Sequence, residues 1–263
     1  DLVFDGGSFV MNNDGKIIHQ FPFFKETEQL IDLNNKIWKK TKKEDDLSLL
    51  YKALMTGLKN YMSKNSFKSA ILGLSGGVDS ALSLAIIADT IGSENIFSFF
   101  LPSLFTSKSS RTDAFEMSSY LGVETKEISI EELRKSVLFH LNPLFKNHKQ
   151  EVTEENIQSR LRGLILMAAS NKFKSLLITT GNKSELAVGY STLYGDMSGG
   201  YSLLKDVYKT KVFELCNWRN ENILDEFKIK KLKVIPENII IKEPTAELKF
   251  DQIDKDSLPP YHI

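Results

Sequence analysis

The sequence predicts an α/β domain in which a parallel sheet carries helices on both faces. Three observations point there. Short apolar runs alternate with helix-period segments from residue 47 onward. The run Ala70–Leu74, the loop Ser75–Ser80 and the apolar stretch 81–91 fit one strand–turn–helix–strand unit. Two polar loops, 75–80 and 180–185, each follow a strand, where open parallel sheets bind ligands.

The elements follow in order. Leu2 to Val10 reads as a strand around a glycine turn, and Asn12-Asn13-Asp14-Gly15 is a hairpin turn before Lys16-Ile17-Ile18. A lone hairpin has no core of its own, so it needs a partner. Residues 25–45 are polar and charged and read as a linker. In it, the run Lys39-Lys40-Thr41-Lys42-Lys43 is followed at once by Glu44, Asp45 and Asp46 and reads as a solvated stretch. Leu47, Leu50, Leu54, Leu58 and Tyr61 recur at helical spacing. Residues 81–91 are apolar nearly all round, as in a buried helix, and Gly92 ends them before a strand at Asn95–Leu101. A helix at Asp113–Leu121, a strand at Thr125–Ile130 and a helix from Glu131 continue the rhythm. Thr153 is expected to cap a helix from Glu154 to about Lys172, with Glu154 and Glu155 in its positive first turn. A strand at Ser175–Thr180 and a helix over Tyr208–Trp218 complete the pattern, and the polar stretch 101–112 and the glycine-bearing stretch 190–206 are candidate lids.

Composition excludes several classes. Hydrophobic residues make up 41% and charged residues 26%, as in an ordinary globular domain. The 34 basic and 34 acidic residues cancel, leaving no field to grip a nucleic-acid backbone. There is no 18-residue apolar run to span a membrane, and the first residues do not read as a signal peptide, so a cytoplasmic setting is expected. The single cysteine, Cys216, rules out an intrachain disulfide and lies in an apolar helical pattern, where a packing role is the plain reading. The chain begins without Met and reads as a fragment of a longer one.

The loop Ser75-Gly76-Gly77-Val78-Asp79-Ser80 suggests the chemistry. Its glycines let backbone amides approach an anion, and the helix after it points its positive end at the same place. Asp79 would repel phosphate unless a divalent cation lay between them. No lysine follows these glycines, so this is not the Walker A pattern. The string resembles the loop of the ATP-pyrophosphatase family, which binds the pyrophosphate of ATP and cleaves between the α- and β-phosphates. That resemblance gives the reaction type and leaves the substrate open.

Three further segments narrow it: ENIQSRLRGLILMAASNK (155–172), LLITTGNKSELAVGYSTLYGDMSGGYSLLKDVYKTKVF (176–213) and PTAELKFDQIDKDSLPPY (244–261). In order and spacing they resemble the synthetase domain of glutamine-dependent NAD synthetases. Residues 1–24, with Phe4-Asp5-Gly6-Gly7-Ser8, resemble the last strands of the nitrilase-like glutaminase domain that precedes it in that family. The resemblance implies a Rossmann-like, adenine-nucleotide alpha-hydrolase-like fold and a domain order of glutaminase remnant (1–24), linker (25–45) and synthetase (46–263), the last truncated at its end.

It also implies a site. Gly73, Leu74, Ser75, Gly76, Gly77, Val78, Asp79, Ser80, Thr180, Lys209 and Thr245 would bind ATP. Asp79 and Glu185 would hold Mg²⁺, and with Lys209 they form the catalytic set. Asn156, Arg160, Glu185 and Asp196 would meet deamido-NAD. Asn156 and Arg160, four residues apart, share a helix face. Read without the resemblance, Thr180 is equally a helix cap, Lys209 a solvated lysine and Arg160 an ion-pair partner. The implied reaction is ATP-dependent amidation of deamido-NAD to NAD through an acyl-adenylate, with ammonia supplied from glutamine by the full-length enzyme. Glutaminases of the family use a Cys-Glu-Lys set, so this stretch, with Cys216 alone, is not expected to hydrolyse glutamine. The resemblance also implies a homodimer or higher homo-oligomer formed through this domain. Other readings are another ATP-pyrophosphatase, such as a GMP synthetase, or a fragment that binds nucleotide without turnover.

Overall fold

Two glycine turns and one long sheet divide the chain into a small hairpin and a layered α/β unit. The computed structural model describes residues 2–32, 44–146, 148–149 and 151–249. The basic run at 39–43, most of the expected linker and the end of the segment 244–261 lie outside these residues.

The hairpin pairs β1 (Phe9–Met11) with β2 (Ile17–Gln20) in antiparallel fashion. Its turn closes as the sequence predicts: Asn12 Oδ1 accepts from the amides of Asp14 and Lys16, and Gly15 donates its amide to the Asn12 carbonyl. The strand expected over Leu2–Val10 is shorter. Gly6 and Gly7 take left-handed φ angles and leave a single bridge from Gly6 to Phe23.

From α1 (Asp46–Lys64) the chain runs β3 (Ala70–Gly73), α2 (Val78–Ile91), β4 (Ile96–Phe100), α3 (Lys108–Leu121), β5 (Thr125–Glu127) and α4 (Glu131–Phe145). It continues through α5 (Val152–Phe173), β6 (Leu176–Thr179), α6 (Lys183–Ala187), β7 (Tyr201–Ser202), α7 (Lys209–Glu221) and α8 (Glu237–Ile241). The sheet is parallel throughout, in the order β5-β4-β3-β6-β7. Growth runs one way from β3 to β5 and the other way from β6, so the order reverses between β3 and β6. Loops leaving those two neighbours diverge and open a crevice.

Strand residues alternate between two cores, as a period of two requires. Ala70, Leu72, Leu176 and Ile178 pack beneath α1, α2, α3 and α7, while Ile71 and Leu177 face Ile165, Leu166 and Met167 of α5. Every residue from Ala81 to Ala88 is fully buried, which explains why α2 lacks a polar stripe. Deep in the larger core, Arg219 of α7 grips Asp89 of α2 with two hydrogen bonds, at 2.5 and 3.0 Å. Its other hydrogen bonds go to the carbonyls of Asn222, Ile229 and Lys231, while Tyr51 donates to Asp89 at 2.6 Å. Burial and then the Asp89 carboxylate push the Tyr51 phenol well above its ordinary value, so it remains a donor.

Several boundaries differ from expectation, each for a local reason. Glu151, not Thr153, caps α5, because Glu154 reaches back to the Glu151 amide at 2.7 Å and completes a capping box. Helix α3 starts earlier than Asp113, since Ser107 accepts from the Ser110 amide and caps it. β5 ends at Glu127, short of Ile130. Within 190–206, expected as a lid, Tyr201–Ser202 joins the sheet and Leu203 and Leu204 are buried. No helix of the described residues is long and apolar enough to cross a membrane.

Candidate active site

The loop after β3 is held by its own serines. Ser80 Oγ donates to the Gly77 carbonyl at 2.9 Å and accepts from the Ser75 amide at 3.2 Å, while Ser75 Oγ accepts from the Gly77 amide at 3.2 Å. Gly76 sits at φ +82°, and a Cβ there would run into the Ser110 carbonyl, so the turn needs glycine on both counts. Helix α2 starts at Val78, which places Asp79 in its first turn.

Asp79 is the meeting point of the two loops. Its Oδ1 accepts from Asn182 Nδ2 at 2.9 Å, and its Oδ2 accepts from Lys209 Nζ at 2.5 Å. Lys209 also lies 3.7 Å from Glu185 Oε1. The lysine side chain is 3% exposed, against 16% for Asp79 and 19% for Glu185. The cation therefore sits behind and the carboxylates face the crevice. Lys209 is the first residue of α7, where its amide donates to Ser184 Oγ at 3.1 Å. Glu185 belongs to a capping box: Asn182 Oδ1 accepts from the Glu185 amide at 3.0 Å and Glu185 Oε2 accepts from the Asn182 amide at 3.2 Å.

Two cavities, each of about 240 Å³, open beside this cluster. One is lined by Gly73, Leu74, Phe99, Leu101, Arg162 and Leu166 and is mostly apolar. The other holds Asp79, Ser80, Glu185, Lys209, Thr245 and Ser191. Ser75, Thr180 and Asp196 line both. A smaller space, about 50 Å³, is bounded by Gly76, Gly77, Val78, Thr245 and Lys242. All the expected ATP-binding residues thus line one connected region, from Gly73 through Ser80 to Thr180, Lys209 and Thr245.

Asn156 and Arg160 are placed differently. Neither lines these cavities. Asn156 Oδ1 accepts from the Thr192 hydroxyl at 2.9 Å, and Arg160, exposed, donates from Nε to the Leu193 carbonyl at 3.2 Å. With Ser159, which accepts from the Asp196 amide at 3.0 Å, they brace the segment that carries Asp196. That segment lies against α5, and a Cβ on Gly195 would overlap Ser159. Asp196 is exposed as a residue, yet partial burial of its carboxyl raises its pKa, against hydrogen bonds from Thr192, Ser159 and Met197 that lower it.

Three residues of the site were not expected. Arg162 lies two positions beyond Arg160 and so on another side of α5, lining the apolar cavity with Nε donating to the Leu101 carbonyl at 2.9 Å. Burial lowers its pKa to about 10, opposed by Glu247, so it stays charged at neutral pH. Glu247 accepts from the Ser110 hydroxyl at 2.7 Å and the Ser107 amide at 3.2 Å, laying segment 244–248 over the crevice against the first turn of α3. Asn182 is fully buried between Asp79 and Glu185. The Asn-x-x-Glu spacing of a capping box was its readable signal.

The donor set suits a hard divalent cation. Asp79 and Glu185 offer only oxygen, and with Lys209 they sum to one negative charge facing the crevice. No group of three or more metal-ligating side chains occurs among the described residues, so phosphate oxygens and water would complete such a shell.

A serine-glycine loop at the reversal of a parallel sheet, beside opposed charges and an apolar hole, is an arrangement that suits a nucleotide in an α/β domain. A family model described as NAD synthase matches residues 50–263, and the chain belongs to that family. Among curated relatives, the glutamine-dependent NAD(+) synthetase of Rhodobacter capsulatus is 46% identical over 270 residues, covering 100% of this chain and 49% of the relative. The chain spans about half the length of the curated relatives it matches. Among solved structures, glutamine-dependent NAD+ synthetase from Acinetobacter baumannii with ADP superposes with a TM-score of 0.86 at 43% identity, covering 94% of this chain and 46% of that one. NMN synthetase from Francisella tularensis gives 0.69 at 26% identity, covering 81% of each chain.

Proposed function

We propose that this chain amidates deamido-NAD to NAD, using ATP to activate the carboxylate and ammonia as the nitrogen donor. The observation that carries the reading is the Asp79–Lys209–Glu185 cluster set at the phosphate loop and joined to an apolar cavity. That cavity suits an adenine ring, and the loop glycines and the first turn of α2 suit the triphosphate. ADP in the Acinetobacter baumannii relative supports a nucleotide here.

The nicotinate carboxylate attacks the α-phosphorus and expels pyrophosphate, giving an acyl-adenylate. Ammonia then attacks the acyl carbon and expels AMP. Lys209 offsets charge on the departing phosphates, the loop amides and serines hold the chain of phosphates in line, and Asp196 borders the place where the two substrates meet. Asp79 and Glu185 would hold Mg²⁺, whose role when bound is to neutralise phosphate oxygens. Asn156 and Arg160 serve the dinucleotide by bracing the 192–196 segment.

We assign residues 1–24 to the end of a glutaminase domain joined by the linker 25–45, in a cytoplasmic enzyme. Exposed Leu2, Phe4, Phe9, Met11 and Ile17 on the hairpin support a covering partner there. Exposed Leu164 and Phe173 on α5 support a homodimer. The test is pyrophosphate release from ATP with Mg²⁺ and ammonium, with and without deamido-NAD, and with nicotinate mononucleotide in its place. Release that requires deamido-NAD and vanishes in Asp79→Ala is the expected outcome. Release driven better by the mononucleotide would move the substrate, and ATP binding without release would reduce the chain to a nucleotide-binding segment.

A further inference from the structure

We propose that Asn182 is the positioning residue that presents Asp79 and Glu185 to one divalent cation. The inference rests on the reading of those two carboxylates as the cation's protein ligands. Its ground is a double role that a single buried carboxamide fills. Asn182 has no exposed surface. Its Nδ2 donates to Asp79 Oδ1 at 2.9 Å, fixing the plane of a carboxylate whose other oxygen is held by Lys209 at 2.5 Å. Its Oδ1 accepts from the Glu185 amide at 3.0 Å, and its own amide donates to Glu185 Oε2 at 3.2 Å. Glu185 Oε1 lies 3.7 Å from Lys209 Nζ.

The geometry matters because Asp79 and Glu185 stand on separate elements. Asp79 begins α2 after β3, and Glu185 begins α6 after β6. Two carboxylates repel, and the buried lysine between them fixes the distance to each but not the direction of either lone pair. A carboxamide supplies both a donor and an acceptor, so it can bond the two carboxylate-bearing elements at once. Groups that orient metal ligands in this way change metal affinity by about 10–100-fold when removed. A mere helix cap would change only the stability of the short α6.

The two roles separate by substitution. Asn182→Ser keeps an acceptor for the Glu185 amide, since serine caps helices about as well as asparagine, but it has no donor that reaches Asp79. Asn182→Ala removes both. The measurement is water-proton relaxation by Mn²⁺ with α,β-methylene-ATP on the full chain, together with Tm. Asn182→Ser is expected to keep a Tm near that of the wild type while its Mn²⁺ half-saturation rises tenfold or more. Its Mg²⁺ activation curve should shift by the same factor, and Asn182→Ala should add a loss of Tm. Wild-type Mn²⁺ affinity in Asn182→Ser would overturn the inference. Absence of any nucleotide-dependent Mn²⁺ signal in the wild type would overturn the cation reading itself, and this inference with it.

Discussion

The packed pair α2–α7 carries an ion pair at each end, and the two are built to opposite rules. Asp79–Lys209 lies at the mouth and Asp89–Arg219 ten residues further along each helix, so both pairs join residues 130 apart in sequence. At the inner end both side chains have no exposure, the guanidinium spends its donors on carboxylate and carbonyls, and Tyr51 adds a further bond. At the outer end a buried ammonium is shared between two carboxylates that stay partly open. The closed pair holds the helices in register. The open pair keeps charge available to something that arrives. The inner pair is closed off from solvent on both sides, whereas the outer pair keeps its two carboxylates partly exposed.

The largest effect is expected at the closed end. Arg219→Ala leaves Asp89 buried without its cation and should cost about 3–5 kcal/mol of unfolding free energy, read by urea titration. Lys209→Met should do the reverse, leaving the urea midpoint close to that of the wild type while turnover falls about 10²–10³-fold, as for loss of a group that stabilises developing charge. Equal stability losses in the two variants would erase the distinction. The smallest effect sharpens it with a carboxyl held only by hydrogen bonds. Asp196 is raised in the fold, so its native state holds a proton more tightly than an unfolded Asp of about 3.9. Its contribution is then full below that unfolded value and is lost as pH climbs through the folded one. Asp196→Asn should flatten that slope, gaining on the wild type above the window and not below it, in Tm measured against pH.

Much of the frame was legible. Ala70–Leu74 and Leu176–Thr179 are apolar runs ending in polar loops, and a parallel sheet forces such loops to one edge. Asp79, Glu185 and Thr180 could therefore be brought together from pattern and resemblance. β7 could not be seen, because it is two residues long and follows Gly199 and Gly200, which read as loop. Thr153 outranks Glu151 by capping preference, and only the carboxylate of Glu154 reverses that. Lys209 reads as solvated in its neighbourhood of tyrosines and lysines, yet it is buried, because its burial is set by two loops far away in sequence. Arg162 shows the same limit: helical spacing separates it from Arg160, but only the packed sheet says which of the two meets a cavity.

The separation of 130 residues between Asp79 and Lys209 also bears on how the chain comes to exist. During synthesis, the loop after β3 emerges long before its lysine, so the early chain presents an acidic turn with no countercharge and little reason to retain a nucleotide. Ligand can favour only the completed arrangement, by mass action on the native state. Under the proposed function, a bound nucleotide would favour finished molecules only. Contacts this far apart in sequence also close slowly, because the entropy of loop closure is met before the contact rewards it.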